Sequence, residues 1–357
     1  MRFLLGFFSF LFIVSSLNAQ SLKNAKYKYL PIHGKPKQNV SAYHRVDTAE
    51  FTKLPPAVKN LLTNSAGLFV SFKTNSSFIS AKWCVTEKKT SANMTAIAYK
   101  GLDLYIKKNG KWQYAGVGTP AKTCSERILV NNMDTSEKEC LVYLPLYDET
   151  KELQIGVDEE ANITEMPNPF KKNILIYGSS IVQGASASRP GLAYPARLSR
   201  NTGFNFVNLG LSGNGKMEFV VADMLATMPA DAYVLDCIPN PSPEEIKERA
   251  AYLVNKIRSL NPDAPIIIIQ TIIREQGYFD SKVGWRVKQQ NEQIAKEYQE
   301  LQKQGIKNLY FISGEDLLGF DHEATADGTH PNDLGFDRML QKLQPFFLEV
   351  LKKHNIY

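Results

Sequence analysis

Long runs of any one kind are missing from this 357-residue chain. No stretch of Lys and Arg reaches five residues. The formal excess of +6 is scattered in pairs such as Lys88-Lys89, Lys107-Lys108, Lys171-Lys172 and Lys352-Lys353, which argues against a nucleic-acid footprint and reads as solvated faces. Gly/Ser tracts, Pro repeats and internal repeats are also missing, so neither a fibre nor a disordered tail is indicated. Cysteines are few, at 84, 124, 140 and 237, and none has C-x-x-C or His/Cys ligand spacing. That argues against a zinc site. In an oxidising compartment Cys124 and Cys140 are placed to pair across neighbouring strands, and buried free thiols are the alternative reading. The apolar run Phe3 to Val14 is shorter than the ~20 residues a spanning helix needs.

The first residues, MRFLLGFFSFLFIVSSLNAQ, instead have the layout of a secretory leader: one Arg, an apolar stretch, then small residues up to Ala19. Cleavage after Ala19 is expected, and no Cys follows to suggest a lipoprotein. The mature chain is therefore read as exported, without a membrane span, and its charge falls to +5 with the loss of Arg2. Its length suggests about two domains.

Two textures follow. Residues 20–160 carry short alternating or β-branched runs: GLFVSF, FISAKWCV, MTAIAYK, LDLYIKKNGKWQYAGV, ERILV, ECLVYLPL and LQIGVD. This is all-β patterning, read as a sandwich or jelly roll. Asn109-Gly110 predicts a tight hairpin, because a type I′ turn needs positive φ at both positions. ANITEMPNPF (161–170), with two prolines, reads as a linker. From 171 to 357, compact apolar runs (NILIYG, FNFVNLG, DAYVLDCI, PIIIIQT, NLYFIS) alternate with helical stretches near 191–201, 214–227, 243–259, 283–304 and 333–353. That predicts a doubly wound α/β domain with a parallel sheet. Ligands bind such sheets at the carboxyl ends of the strands, which directs attention to the loops after Tyr177, Leu209, Ile238, Thr271 and Ser313.

A hydroxyl at Ser179 or Ser180 would sit on that edge. Serine attacks only when a base takes its proton, and the chain has five histidines. His330, with Asp327 three residues earlier, has a carboxylate placed to hold the imidazole. His322, between Asp321 and Glu323, is a rival. Oxyanion donors could come from a backbone N–H in Gly210–Asn214 and from the Asn240 amide. The plainer readings are a tight turn and a helix cap. GLSGNGK meets neither nucleotide-binding fingerprint, and Ser180 lacks the G-x-S-x-G context of α/β-hydrolases.

Together these loops resemble the SGNH (GDSL-type) hydrolase family, whose functional residues lie in four blocks in this order. GSSI (178–181) is similar to the first, NLGLSGN (208–214) to the second, DCIPN (236–240) to the third and DGTHP (327–331) to the last. The resemblance implies a flavodoxin-like sheet, nucleophile Ser180, base His330 with Asp327, and oxyanion donors Ser180 N–H, Gly213 and Asn240, with no cofactor or metal. Ser179 stands where the family usually has Asp. GLDLY (101–105) is similar to the G-x-D-L-Y motif of a branch with an N-terminal β domain. Exported members of families so built often deacetylate plant polysaccharides, so the expected activity is hydrolysis of O-acyl esters on carbohydrate. A lipase, thioesterase or peptidoglycan O-acetyl esterase is an alternative, and so is an inert polysaccharide-binding protein. Arg189, Tyr194 and Trp285 are candidate substrate contacts. Tyr194 reads first as core of its helix and Trp285 first as part of an apolar helix face; Arg189 is the best of the three, with a pin for its own loop as its plainer reading.

Overall fold

The computed structural model describes residues 22–37 and 41–357. The expected leader and its cleavage point fall outside the described residues.

Alternation builds the N-terminal half. In Ile79–Val85 the side chains of Ile79, Ala81, Trp83 and Val85 turn inward and are buried, while Lys82 turns out, as the two-residue period of a strand dictates. They meet Val70, Phe72, Leu104, Val142 and Ile155 in one core between two antiparallel sheets. One sheet has the order Ala25–Lys28, Thr150–Asp158, Ile79–Val85, Cys124–Val130. The other runs Ile163–Glu165, Phe69–Thr74, Lys138–Tyr143, Leu102–Lys108, Lys111–Gly118, with Ile32–His33 also pairing to Phe69–Thr74. The hairpin at Asn109-Gly110 forms as expected, with φ of 53° and 74°.

Three readings of this half are revised. MTAIAYK is not a strand but holds the helix Ala96–Lys100: the Thr95 hydroxyl caps Ala98 N, and Ala98 and Tyr99 are buried against the α/β half. The proline-bearing connection is no free linker. Ile163–Glu165 is an edge strand, and Ser71 Oγ donates to the carbonyls of Met166 and Pro167. The disulfide joins Cys84 to Cys124, not Cys124 to Cys140. Cys84 and Cys124 face each other in register on adjacent strands, whereas Cys140 lies in the opposite sheet, paired with Phe72, and is buried as a free thiol.

The second half is a five-stranded parallel sheet in the order Phe204–Gly210, Lys171–Gly178, Ala232–Asp236, Ile266–Ile269, Leu309–Ile312. One face is covered by Phe219–Ala226, Pro243–Leu260 and Ser281–Lys303, the other by Tyr194–Thr202 and Asp333–Lys353. Strand order reverses between Lys171–Gly178 and Ala232–Asp236, and ligands of such sheets bind at the carboxyl ends of the strands beside such a switch point. Local chemistry sets the helix starts: Ser242 and Glu245 form a reciprocal capping box, and Asn332 caps the last helix through Gly335 N.

Charged side chains seal the two halves together. Asp103 of GLDLY is fully buried, and its carboxylate accepts from Arg189 Nη1 at 2.9 Å and from Gly191 N at 2.8 Å. Arg189 also donates to the Tyr105 hydroxyl, and Arg200 lies 3.8 Å above the Tyr105 ring. Arg45 is buried, with no carboxylate partner among the described residues. Its guanidinium donates to the carbonyls of Leu61 and Asn64 in its own half and of Asn208 and Gly210 in the other. Burial lowers its pKa to about 9. Removing one partner of a buried pair strands the other charge. Arg189→Met is therefore expected to lower unfolding stability by ~3 kcal/mol in urea titration, far more than a change at an exposed pair such as Lys303–Glu300.

Candidate active site

Ser180 opens the four-residue helix Ser180–Gln183, directly after the strand Lys171–Gly178. The turn is tight. A Cβ on Gly178 would stand 2.2 Å from Val182 Cγ2 and 2.3 Å from the Asp236 carbonyl, so only glycine fits. Ser179 is buried, and its hydroxyl accepts from Ile181 N at 3.2 Å. It is thus the helix N-cap, a role that Ser and Asp fill comparably. The departure from the family pattern leaves the loop hydrogen-bonded.

Ser180 Oγ lies 2.8 Å from His330 Nε2. On the other side of the ring, His330 Nδ1 lies 2.8 Å from Asp327 Oδ2. Burial works to raise the Asp327 pKa, but hydrogen bonds from His330 N and the imidazole, with Thr329 N, hold it below the usual carboxylate value. The carboxylate therefore stays charged beside the ring. Serine, imidazole and carboxylate stand in series, with Nε2 free to accept when Nδ1 carries its proton. His322 is not in this series; it pairs with Glu275 at 2.8 Å and packs edge-on to Tyr278.

Ser180 N, Gly213 N and Asn240 Nδ2 engage no hydrogen-bond partner among the described residues. The loops bearing them are firmly held. Leu211 N donates to the Gly178 carbonyl, Ser212 N to Gln183 Oε1, and Gly213 takes φ +69°. Asn240 Oδ1 accepts from Gly215 N at 3.1 Å, which fixes the amide with its N–H₂ end unused. Arg274 donates to the Pro239 carbonyl, Arg286 to that of Asn240 and Gln290 to that of Pro241. Two cationic groups thus sit behind the Asn240 loop.

The other candidates separate. Arg189 is committed to Asp103 and Tyr105, so of its two readings the structure favours the pin for its loop. Tyr194 is core, its hydroxyl donating to Asp236 Oδ2 at 2.8 Å. Trp285 is 64% exposed, contrary to the apolar-face reading. It precedes Val287, on the buried face, by two residues, which is close to half a turn around the helix. It lines a cleft of about 760 Å³ with Ser242, Glu244, Lys282 and Arg286. Sequence reasoning missed Asn93, whose Nδ2 lies 2.9 Å from Asp327 Oδ2. It missed Tyr147 too, whose hydroxyl donates to the Ser180 carbonyl. Both come from the β half and carry no local signal. Among the described residues no group of three or more His, Cys, Asp or Glu is arranged to hold a metal ion.

A hydroxyl, imidazole and carboxylate in series at the switch point of a doubly wound sheet are the arrangement of a serine hydrolase. Comparison with known proteins goes further. Residues 171–348 match the GDSL-like lipase/acylhydrolase family, and residues 21–163 match the N-terminus of SGNH-hydro-type esterases. The chain belongs to the GDSL-like lipase/acylhydrolase family and is an ester hydrolase. A protein from Bacteroides ovatus ATCC 8483 described as a GDSL-like lipase is 58% identical over 92% of this chain and 98% of its own, with a TM-score of 0.91. Two more distant structures share the fold. The salicylyl-acyltransferase SsfX3 from a tetracycline biosynthetic pathway has 18% identity over 92% of this chain and 96% of its own, TM-score 0.70. A family two carbohydrate esterase from Clostridium thermocellum, in complex with cellohexaose, has 12% identity over 81% and 93%, TM-score 0.58. No curated protein matches.

Beneath the nucleophile, Asp236 is completely buried, and burial raises its pKa to about 7 against the pull of the Tyr194 hydroxyl. A carboxyl whose folded pKa is raised stabilises the fold in its protonated form, and that contribution is lost as pH rises from about 3.8 through 7. Asp236→Asn is therefore expected to flatten the fall in urea-unfolding stability across that window. A curve as steep as wild type would rule Asp236 out as its source.

Proposed function

We propose that the enzyme removes O-acyl groups, acetyl foremost, from carbohydrate through an acyl-enzyme on Ser180. The observation that carries this reading is the Ser180–His330–Asp327 series, with 2.8 Å at each link. His330 Nε2 takes the Ser180 proton as Oγ attacks the ester carbonyl. Charge building on the carbonyl oxygen meets the N–H groups of Ser180 and Gly213 and the Asn240 amide. The C–O bond to the sugar then breaks, and His330 returns its proton to the leaving alcohol oxygen. Water, deprotonated by the same imidazole, attacks the acyl-enzyme and releases the acid and Ser180.

Carbohydrate is favoured by Trp285, an exposed indole in a cleft rimmed by Glu244 and by Arg286, which donates to the Asn240 carbonyl. Flat aromatic surface with a polar rim suits the apolar face and the hydroxyls of a pyranose ring. The carbohydrate esterase that shares the fold points to the same substrate class. Export is supported by the leader-like first residues and by the Cys84–Cys124 disulfide.

Ser180→Ala should abolish hydrolysis of 4-nitrophenyl acetate while Ser179→Ala keeps most of it, measured by 4-nitrophenol release. Equal losses would refute the nucleophile. Asn240→Ala should lose ~10²–10³ in kcat. Trp285→Ala should raise KM for acetylated xylan roughly 10-fold, the effect of losing ~1.4 kcal/mol of contact, and leave 4-nitrophenyl acetate kinetics unchanged. Preference for acetylated peptidoglycan or long-chain esters over acetylated xylan would move the substrate to one of the alternatives.

A further inference from the structure

We infer that Asn93, a residue of the N-terminal β half, is a positioning residue of the hydrolytic site: it holds the Asp327 carboxylate against the imidazole of His330. The inference rests on the triad reading above and extends it to the other half of the molecule.

Asn93 Nδ2 lies 2.9 Å from Asp327 Oδ2, the same oxygen that faces His330 Nδ1, and 3.3 Å from Nδ1 itself. When Nδ1 carries the proton it has no lone pair to offer Asn93, so the amide donates to the carboxylate. The opposite amide orientation would turn Oδ1 onto Asp327, acceptor against acceptor. Asp327 Oδ2 thus receives two hydrogen bonds, one from each half of the chain. Its other oxygen, Oδ1, accepts from His330 N and Thr329 N. Without Asn93 the local turn holds Oδ1 but leaves only the ring on Oδ2.

Asn93 is itself fixed. Its carbonyl accepts from Ser186 Oγ at 3.0 Å, and two residues on, Thr95 Oγ1 donates to the Ser188 carbonyl at 2.6 Å. Ser188 N in turn donates to Asp333 at the start of the last helix. The 186–188 loop therefore ties the Asn93 segment to the element that follows His330. A polar side chain at this place is not needed to fill the seam, whose apolar contacts come from Met94, Ala98 and Tyr99. The imidazole stands between Asn93 and Ser180, so the amide does not reach a bound ester. It acts on the reaction through Asp327 alone.

The electrostatic consequence has a definite sign. An N–H donated to the carboxylate draws off negative charge that would otherwise face the imidazolium formed during the reaction. The other charged group facing Asp327 is Arg274, from the segment after Ile266–Ile269; Gln276, which donates to the Asp327 carbonyl, is neutral. Neither changes in the variants below.

The test is steady-state hydrolysis of 4-nitrophenyl acetate across pH by wild type, Asn93→Ala, Asn93→Asp and Ser180→Ala, with thermal unfolding as a check on folding. Asn93→Ala should lose roughly 10-fold in kcat, the scale of one hydrogen bond to a charged group, with KM unchanged. Asn93→Asp adds a second carboxylate beside the ring and should move the acid limb of kcat/KM upward by about one pH unit. A seam-filling role would alter Tm without moving that limb. Folded variants with wild-type kcat and pH profile, alongside an inactive Ser180→Ala, overturn the inference and leave the triad standing. An active Ser180→Ala overturns both. If Asn93→Asp does not fold, the kcat and KM of Asn93→Ala decide.

Discussion

The structure depends on a polar seam between its two halves. Buried charges cost free energy unless their hydrogen-bonding positions are met, and Arg45 and Asp103 find partners across the seam. Arg45 is solvated by four backbone carbonyls, two on each side. Asp103 is matched by Arg189 and by the Gly191 amide. Neither half alone can satisfy these groups, so the geometry of one is conditional on the other. The G-x-D-L-Y motif owes its makeup to this seam: its Asp and Tyr hold the Arg189 loop of the α/β half.

The seam runs directly behind the catalytic edge. Arg45 grips the end of Phe204–Gly210, from which the Gly213 loop springs; Gln183 donates to the Leu146 carbonyl and Tyr147 to that of Ser180; Asn93 reaches Asp327. Donors aimed at a developing charge are useful only if they need not reorganise. The β half supplies part of that rigidity, and the Arg274, Arg286 and Gln290 contacts to residues 239–241 supply the rest. What remains open is the Trp285 side, where an exposed helix face borders the cleft.

Ser179 illustrates how a departure from a family pattern is absorbed. The position needs a short side chain with an oxygen acceptor for Ile181 N, and serine meets that need while its own N–H donates to the Asp236 backbone carbonyl. The fully buried Asp236 already accepts from Tyr194.

Much of the fold and site was legible beforehand. The strands of the parallel sheet, the hairpin at Asn109-Gly110 and the last helix, Asp333–Lys353, follow from local pattern, turn chemistry and caps. Ser180, His330 and Asp327, which stood out in short blocks of the sequence, lie in hydrogen-bond series in the structure. What failed had one physical cause. MTAIAYK alternates like a strand but is capped by Thr95 and buried against a surface formed more than 70 residues later. Cys124 pairs with Cys84 because the two sheets put Cys140 out of reach. Arg189 meets Asp103 rather than solvent, Trp285 turns outward, and Asn93 meets a carboxylate 234 residues away. Periodicity and capping are properties of a few neighbouring residues, so the chain alone determined the elements, their order and the chemistry at their ends. Which buried donor meets which acceptor across the seam is set by the packing of two complete halves, and only the tertiary structure decided it.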